Sequence, residues 1–306
     1  MNRREFIAAG LLGLPALRAC GAASRAPAPL ALATADTESH VVVVAPATGR
    51  IVQRLRTLEG PRSIQGRPGL AVCAHTQLGK VSLLQRDGDR VHVRRVLNGF
   101  VEPRYTVLAG RHAFVTDSGS GEVATIDLQR GRVLHRAAVG DLARHVTRHG
   151  DTLWVALGSS AARLVAVDVS DPLRPAVKRR VAPRFLAHDV AVAPGGRLWV
   201  TAGRERRIAL SGGLELDADE APQHVSFGPG RAYVASGDGG SVRVHALDGR
   251  LLHSARVPRG SYNVQRAGRF VLTPSLGAGT LTILDLRGEV LHSVRVAAAA
   301  HDSCMV

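Results

Sequence analysis

The stretch FLAHDVAVAPGGRLWVTAGRERRI, residues 185–208, contains the pattern that recurs along the rest of the chain. A polar start, Ala187-His188-Asp189, precedes a short apolar strand at 190–193, and a Pro-Gly-Gly turn leads to a second strand at 198–201. Short apolar runs bounded by glycine and proline are typical of β-strands joined by tight turns. The stretch therefore predicts an antiparallel pair of strands with polar residues where the first strand begins.

Seven three-residue phrases, each an apolar pair followed by threonine or alanine, mark this second strand along the chain. Their final residues are separated by 34 to 45 positions. Each phrase is followed by a polar or Gly-rich turn and then by two further strand patterns. Four strands in about 40 residues are typical of one blade of a β-propeller. The final residues of the phrases are Thr34, Ala74, Thr116, Ala156, Thr201, Ala235 and Thr273.

The composition agrees with an all-β domain rich in tight turns. The 306 residues are 45% hydrophobic and include 33 glycines, which allows a large core and argues against disorder. The formal charge is +15, and Lys80 and Lys178 are the only lysines among 40 basic residues. Either the excess of arginine reflects genome base composition, or it attracts an anionic partner. Six Phe, three Tyr and two Trp are too few stacking platforms to favour nucleic acid.

Residues 1–20 have the pattern of an export signal. Arg3-Arg4-Glu5-Phe6-Ile7 resembles the twin-arginine signal, although Asn2 stands where that signal usually has Ser or Thr. The apolar run at 7–17 is shorter than the roughly 20 residues that span a bilayer. The resemblance implies a folded, extracytoplasmic product, and the alternative is a basic N-terminus followed by a core helix.

The end of this signal leaves two outcomes open. Leu17-Arg18-Ala19-Cys20 resembles a lipobox, which implies lipidation of Cys20 and a membrane tether, although Arg18 departs from the motif. The alternative is ordinary cleavage near Ala23 or Ala28 and a secreted product. The small Pro/Ala-rich segment at 21–29 fits a tether in either case.

The phrases LWVT, YVAS and FVTDSGSGEVATIDL resemble the YVTN-type seven-bladed β-propeller repeats over about residues 30–306. The resemblance implies an all-β, monomeric single domain with seven blades of four antiparallel strands. Blade 1 begins at its second strand, within residues 30–57, and the tail at 299–306 remains after the seventh blade. We therefore predict that the tail is the innermost strand of blade 1, which closes the ring and removes an open sheet edge. Propellers have many activities, so the architecture does not give the function.

Polar residues recur where the first strand of each blade begins, at the predicted mouth of the central channel. Such a convergent site is the default ligand site of a propeller. The first mouth row comprises Arg62, Arg104, Arg144, His188, Gln223, Tyr262 and His301. The second mouth row comprises Ser63, Tyr105, His145, Asp189, His224, Asn263 and Asp302.

The two rows divide the mouth chemically. Arg62, Arg104 and Arg144, the arginine wall, could bind a carboxylate or phosphate. The other side could hold a divalent metal or perform acid–base chemistry, since it offers histidines and carboxylates. Alternatively, all these residues only hydrate the mouth and bond neighbouring loops. The histidines and carboxylates concerned are His145, His188, Asp189, His224, His301 and Asp302.

The leading interpretation is an exported, non-catalytic propeller that binds an anionic small molecule, a cell-envelope polymer or a protein partner at the mouth. The alternative is an enzyme, because AHDVAVAPGGRLWVT resembles virginiamycin B lyase-type propellers, which use a His, a Glu and a divalent metal. That resemblance implies His188 or His301 as the base, with Asp189 and Asp302 nearby, but neither mouth row contains Glu. A third reading is a structural envelope protein. No motif predicts a resident cofactor, and Cys73 and Cys304, in adjacent blades, either pair or remain buried thiols.

Overall fold

The computed structural model describes residues 28–158 and 163–306, and it is a seven-bladed β-propeller. Seven four-stranded antiparallel sheets surround a central channel, and the short 3-10 helix Thr76–Leu78 lies within blade 2. None of the helices in the described part of the chain is long and apolar enough to cross a membrane. The predicted export signal at 1–20, Cys20 and most of the tether at 21–29 lie outside the described residues.

The strands follow one another along the chain with short connections. The first fourteen are β1 Ala31–Ala35, β2 His40–Ala45, β3 Arg50–Arg56, β4 Pro61–Arg67, β5 Leu70–His75, β6 Lys80–Asp87, β7 Arg90–Leu97, β8 Pro103–Ala109, β9 His112–Asp117, β10 Glu122–Asp127, β11 Arg132–Ala138, β12 Val146–His149, β13 Thr152–Ala156 and β14 Leu164–Asp168. The others are β15 Ala176–Val181, β16 Ala187–Val192, β17 Leu198–Ala202, β18 Arg207–Leu210, β19 Glu215–Asp217, β20 Pro222–Gly228, β21 Arg231–Ser236, β22 Ser241–Ala246, β23 Leu251–Arg256, β24 Gln265–Ala267, β25 Phe270–Pro274, β26 Thr280–Asp285, β27 Val290–Arg295 and β28 Ala300–Met305.

The predicted ring closure is confirmed. Blade 1 has the strand order β28-β1-β2-β3, and the other six blades take four consecutive strands each. Strand β28 pairs antiparallel with β1, so that Leu32 lies opposite Cys304. Each of the seven repeated phrases lies in the second strand of its blade, as predicted.

The hydrophobic core is divided into seven clusters, one between each pair of adjacent blades. Strand β2 shows why its run of four valines does not alternate with polar residues. Val41 and Val43 pack towards blade 2, whereas Val42 and Val44 pack towards blade 7. Because successive side chains point to opposite faces, a sheet covered on both faces needs apolar residues at every position.

We call the pairing of β28 with β1 the closing joint, and one side chain of blade 2 binds next to both of its strands. The Arg86 guanidinium donates to the carbonyl oxygens of Val306 at 2.7 Å and Ala28 at 2.6 Å. These two residues flank the paired strands β28 and β1. A single planar cation with several donors can bind both carbonyls at once, which locks the two strands in register.

The two described cysteines are free thiols in the cluster between blades 1 and 2. Cys73 and Cys304 are both fully buried. Burial raises the pKa of each thiol well above its usual range, and the charge of Asp302 raises it further. The structure therefore agrees with the buried-thiol alternative, and such thiols are chemically inert.

Deletion of residues 299–306 should destabilise the propeller severely, because it removes a complete inner strand and exposes the edge of β1. Several ladder hydrogen bonds at about 1 kcal/mol each are lost, against a typical total stability of about 5–15 kcal/mol. We expect the melting temperature to fall by at least about 10 °C. Differential scanning calorimetry tests this, with Leu251→Ala on the exposed outer strand of blade 6 as the control. An unchanged melting temperature in the truncated protein would contradict the role of β28.

Candidate functional site

The seven residues of the second mouth row surround one cavity of about 170 Å³ inside the channel. This follows from the repeat, because each residue occupies the same position at or just before the first strand of its blade. The first mouth row lies beside them at the mouth. There His188, Gln223 and Tyr262 line a second cavity of about 240 Å³ together with Arg204 and Asp238.

Three side chains from blades 4, 5 and 6 meet in the channel. The ligand atoms of His145, Asp189 and His224 all lie within 4.8 Å of one another. Nε2 of His145 is 2.9 Å from Nε2 of His224, and Nδ1 of His224 is 3.4 Å from a carboxylate oxygen of Asp189. Within the ranges that the structure describes, this is the one group of three His, Cys, Asp or Glu side chains close enough to share a metal ion. We call it the histidine cluster.

Two aromatic neighbours fix the orientation of the histidine cluster. The Tyr105 ring stacks on His145 with a centroid distance of 4.0 Å, and it lies 5.4 Å from His224. The His188 ring lies 4.8 Å from His145 on the mouth side. The Nδ1 atom of His145 and the Nε2 atom of His188 are buried without a hydrogen-bond partner. The cluster and its neighbour His188 thus each hold one nitrogen whose lone pair or N–H group is unused, which is uncommon in a protein interior.

The mouth histidines are neutral at physiological pH. Burial lowers the pKa of His145 and His224 well below the usual range, and neighbouring histidines and Arg144 lower it further. Burial, followed by the charge of Arg144, lowers the pKa of His188 to about 4. Burial, followed by the charge of Arg62, lowers the pKa of His301 to about 3. Neutral imidazole is the form that binds metal ions.

The carboxylates of the two His-Asp pairs hold neighbouring inner strands together. Asp302 accepts hydrogen bonds from the backbone N–H groups of Ser303 at 2.7 Å and of Ile64, in blade 2, at 2.9 Å. Asp189 does the same with Val190 at 2.7 Å and with Val225, in blade 6, at 3.3 Å. Burial raises the pKa of each carboxyl to about 7, against the effect of these hydrogen bonds.

The same two blades make a threonine contact that blade 3 also makes, through Thr116. Thr34 accepts from the N–H of Asp302 at 2.9 Å and donates to the Arg62 carbonyl, and Thr201 accepts from the N–H of Asp189 at 3.1 Å and donates to the Gln223 carbonyl. The repetition of Asp in blades 1 and 5 therefore reflects the carboxylate contact with the next inner strand. The two histidines of these pairs lie in different surroundings. His188 neighbours His145, whereas Nδ1 of His301 lies 2.8 Å from the Arg62 carbonyl oxygen.

The three guanidiniums of the arginine wall are not equally available. Arg62 forms an ion pair with Asp36 at 2.9 Å, and Arg104 forms a longer one with Glu102 at 3.4 Å. No carboxylate of residues 28–158 or 163–306 forms an ion pair with Arg144, and its Nε atom is buried without a hydrogen-bond partner. Burial lowers the pKa of Arg144, and the nearby charges of Arg104 and Arg62 lower it further.

The sequence reasoning did not include Asp36 and Glu102 because neither belongs to a mouth row. Their positions give a usable signal, since Asp36 closely follows the phrase ending at Thr34 and Glu102 lies two residues before Arg104. Gly237 is a second missed feature. A Cβ atom there would lie 1.9 Å from the Tyr262 ring, so glycine is needed for this tyrosine to lie over the turn and donate to Asp238.

The neutral histidines should make the protein less stable in acid. Between about pH 4 and 6.5 the unfolded chain binds more protons at these histidines than the folded one, so their contribution to stability rises with pH. Asp189 and Asp302, with pKa values raised to about 7, have the opposite effect. Burial also lowers the pKa of His75 and His245, away from the mouth. Because six such histidines oppose two carboxyls, we expect the free energy of unfolding to increase from pH 5 to 6.5.

The double variant His188→Gln/His301→Gln should make this slope clearly smaller, since it removes two of the six histidines that produce it. Urea unfolding at several pH values measures the slope, and His253→Gln on the outer strand of blade 6 is the matched control. A double variant that retains the parent slope would show that these histidines do not stay neutral in the folded protein.

Comparisons with known proteins support the architecture. No protein-family model matches the chain, and no curated protein is similar to it in sequence. Apo AztD from Citrobacter koseri is similar in structure, with a TM-score of 0.68, 13% identity, and coverage of 91% of this chain and 97% of that one. A functionally unknown protein from Desulfotomaculum acetoxidans has a TM-score of 0.78 and 10% identity, with coverage of 90% of this chain and 98% of that one. A streptogramin B lyase has a TM-score of 0.61 and 11% identity, with coverage of 77% of this chain and 83% of that one. At these identities the likeness shows the fold alone, and the chain is a seven-bladed β-propeller.

Proposed function

We propose that this propeller binds one divalent transition-metal ion of the Zn²⁺ type in its channel, through Nε2 of His145 and Nε2 of His224. The observation that carries the proposal is the 2.9 Å separation of these two buried nitrogens. Two imidazoles that bind zinc at about 2.0–2.1 Å in tetrahedral geometry hold their nitrogens about 3.3 Å apart. Widening the separation by a few tenths of an ångström, with both rings turned so that their Nε2 lone pairs converge, would admit the ion.

Asp189 supports this role from behind His224. Its carboxylate lies 3.4 Å from Nδ1 of His224, which favours the tautomer with its proton on Nδ1 and its lone pair on Nε2. A carboxylate behind a metal-binding histidine fixes the tautomer and makes the imidazole a better ligand. The depressed pKa values of His145 and His224 mean that no proton has to leave before the ion binds.

Two protein ligands leave coordination positions for water or for an anion, which supports a second candidate function on the arginine side. We infer that Arg144 binds an anionic group at the mouth, because this guanidinium has no carboxylate partner in the described part of the chain, unlike Arg62 and Arg104. This narrows the anion-binding prediction from three arginines to one. The lyase alternative has less support, since neither mouth row contains Glu and the similarity to streptogramin B lyase concerns the fold.

We also propose that the protein acts outside the cytoplasm, as a monomer that is either anchored at Cys20 or secreted. The support is the Arg3-Arg4 motif and the lipobox-like segment at 17–20. Its YVTN-type repeat assignment likewise rests on the repeated phrases. An extracytoplasmic channel with neutral imidazoles would fit a metal-carrying or metal-buffering protein.

Replacing either channel histidine should abolish high-affinity metal binding. For His145→Ala and His224→Ala we expect Zn²⁺ and Co²⁺ affinities at least about 100-fold below the parent. For Asp189→Asn we expect a loss of about 10–100-fold, as is usual for a residue that orients a metal-binding histidine. Isothermal titration calorimetry gives the affinities, and the visible spectrum of bound Co²⁺ reports its geometry.

The matched control is His253→Ala, which removes a histidine from the outer strand of blade 6 and should leave metal binding unchanged. Thermal unfolding of each variant verifies that it is folded. Binding of equal affinity in the parent and in both channel variants would contradict the metal proposal.

Replacing Arg144 should weaken anion binding at the mouth. In a thermal-shift titration with citrate and with inorganic phosphate, we expect Arg144→Gln to raise the midpoint concentration about tenfold, because a charge-assisted hydrogen bond is lost. Arg174→Gln, an exposed arginine in the same blade, is the control. If the parent shows no shift with either anion, or if Arg144→Gln shifts as the parent does, the arginine proposal is wrong.

A further inference from the structure

A larger cavity lies at the other end of the channel, between blades 7, 1 and 2. Its volume is about 640 Å³, within the range of small-molecule sites. Blade 1 differs from the other six blades here. Their first and second strands are consecutive in the chain, whereas β28 and β1 pair without a connecting turn. The cavity lies beside this joint, and Pro29, Met305 and Val306 line it.

Two glutamines separate this cavity from the histidine cluster. Gln65 of blade 2 and Gln265 of blade 7 line both cavities, and Nε2 of Gln265 donates to Oε1 of Gln65 across the channel. The Oε1 atom of Gln265 is buried without a hydrogen-bond partner. The cavity therefore has a polar floor with an unused acceptor, and it is a site separate from the mouth.

The charged side chains around the cavity are all cationic. Arg67, Arg86 and Arg266 line it, and its described lining contains no Asp or Glu. Arg86 uses its donors on backbone carbonyls of the joint. Arg67 donates one N–H to the carbonyl oxygen of Gly110 in blade 3. Neither Arg67 nor Arg266 forms an ion pair with a carboxylate of the described residues, and the Nε atom of Arg266 is buried without a hydrogen-bond partner. Both guanidiniums thus lack an anionic partner and have N–H groups left for one, since a guanidinium carries five.

The rest of the lining is apolar. Burying an aliphatic group against such side chains contributes about 25 cal/mol per Å² of apolar surface. A ligand that satisfies both halves of the cavity therefore needs an anionic head and an aliphatic body. The apolar residues are Pro29, Pro68, Ala267, Met305 and Val306.

We propose that this cavity binds a single-chain amphipathic anion, with its carboxylate or phosphate at Arg67 and Arg266 and its chain against Met305 and Val306. The site is independent of metal binding and of the mouth. Carboxylate and phosphate heads share this recognition, because a guanidinium binds either with two parallel hydrogen bonds.

Calorimetric titration of the full chain tests the proposal with decyl phosphate and decanoate below their micelle concentrations. Inorganic phosphate and decanol supply the head and the chain separately. We expect both amphiphiles to bind at one site, at least about tenfold more tightly than either half. Arg67→Gln and Arg266→Gln should each weaken them about tenfold, whereas Arg295→Gln, exposed on the outer strand of blade 7, should not.

The variants keep the His145 and His224 site intact, so unchanged thermal unfolding and unchanged Co²⁺ titration show that they are folded. The relative affinities for decyl phosphate and decanoate tell which head group the site prefers. The proposal is overturned if the full chain binds neither amphiphile, if decanol binds as tightly as both, or if the two arginine variants bind like the parent. Binding of phosphatidylglycerol vesicles without binding of the soluble amphiphiles would also overturn it.

Discussion

The structure depends on one constraint, which is that every sheet is buried on both faces between two neighbours. A blade with an uncovered face would expose a complete row of apolar side chains, such as Val41 and Val43 of β2, so the ring has to close. Closure is non-covalent and uses β28, the last strand, beside β1, the first. Blade 1, unlike the other six blades, is therefore not built from one continuous segment of the chain. Contacts from blade 2 stabilise it. Arg86 binds the carbonyls on the outside of the joint, and the Asp302 carboxylate reaches Ile64 on the channel side.

The same constraint creates the chemistry of the channel. Seven inner strands packed around one axis bring the polar residues at their first turns together in a space with little water. Charged forms are costly there, which is why the histidine pKa values are low and those of Asp189 and Asp302 are high. In the described part of the channel, Nδ1 of His145 and Nε2 of His188 have no hydrogen-bond partner although unsatisfied buried polar atoms are destabilising. The Nε2 atoms of His145 and His224 are hydrogen-bonded to each other, and a bound ion would replace this one hydrogen bond with two metal–nitrogen bonds.

Much of the architecture follows from the sequence. The alternation along each strand tells which face of the sheet a side chain lies on, and the seven phrases mark the second strand of each blade, so that equivalent positions can be aligned. The second mouth row was aligned from this repeat alone, and all seven of its residues line the channel cavity. The contacts within the site were not predictable in the same way. The sequence drew attention to His188-Asp189 and His301-Asp302 as a repeated pair, but that repetition comes from two carboxylates that hold the next inner strand. The meeting of His145 with His224 depends on the curvature of the ring and on side-chain direction, and Asp36 and Glu102 lie outside the repeated positions.

X-ray diffraction at the zinc absorption edge, on crystals of the full chain grown with one equivalent of Zn²⁺, tests the central claim most directly. The account predicts one anomalous peak inside the channel, about 2.0–2.1 Å from Nε2 of both His145 and His224, with Asp189 at Nδ1 of His224. A peak only at surface histidines, or a channel without a peak while the two Nε2 atoms remain hydrogen-bonded to each other, would contradict it.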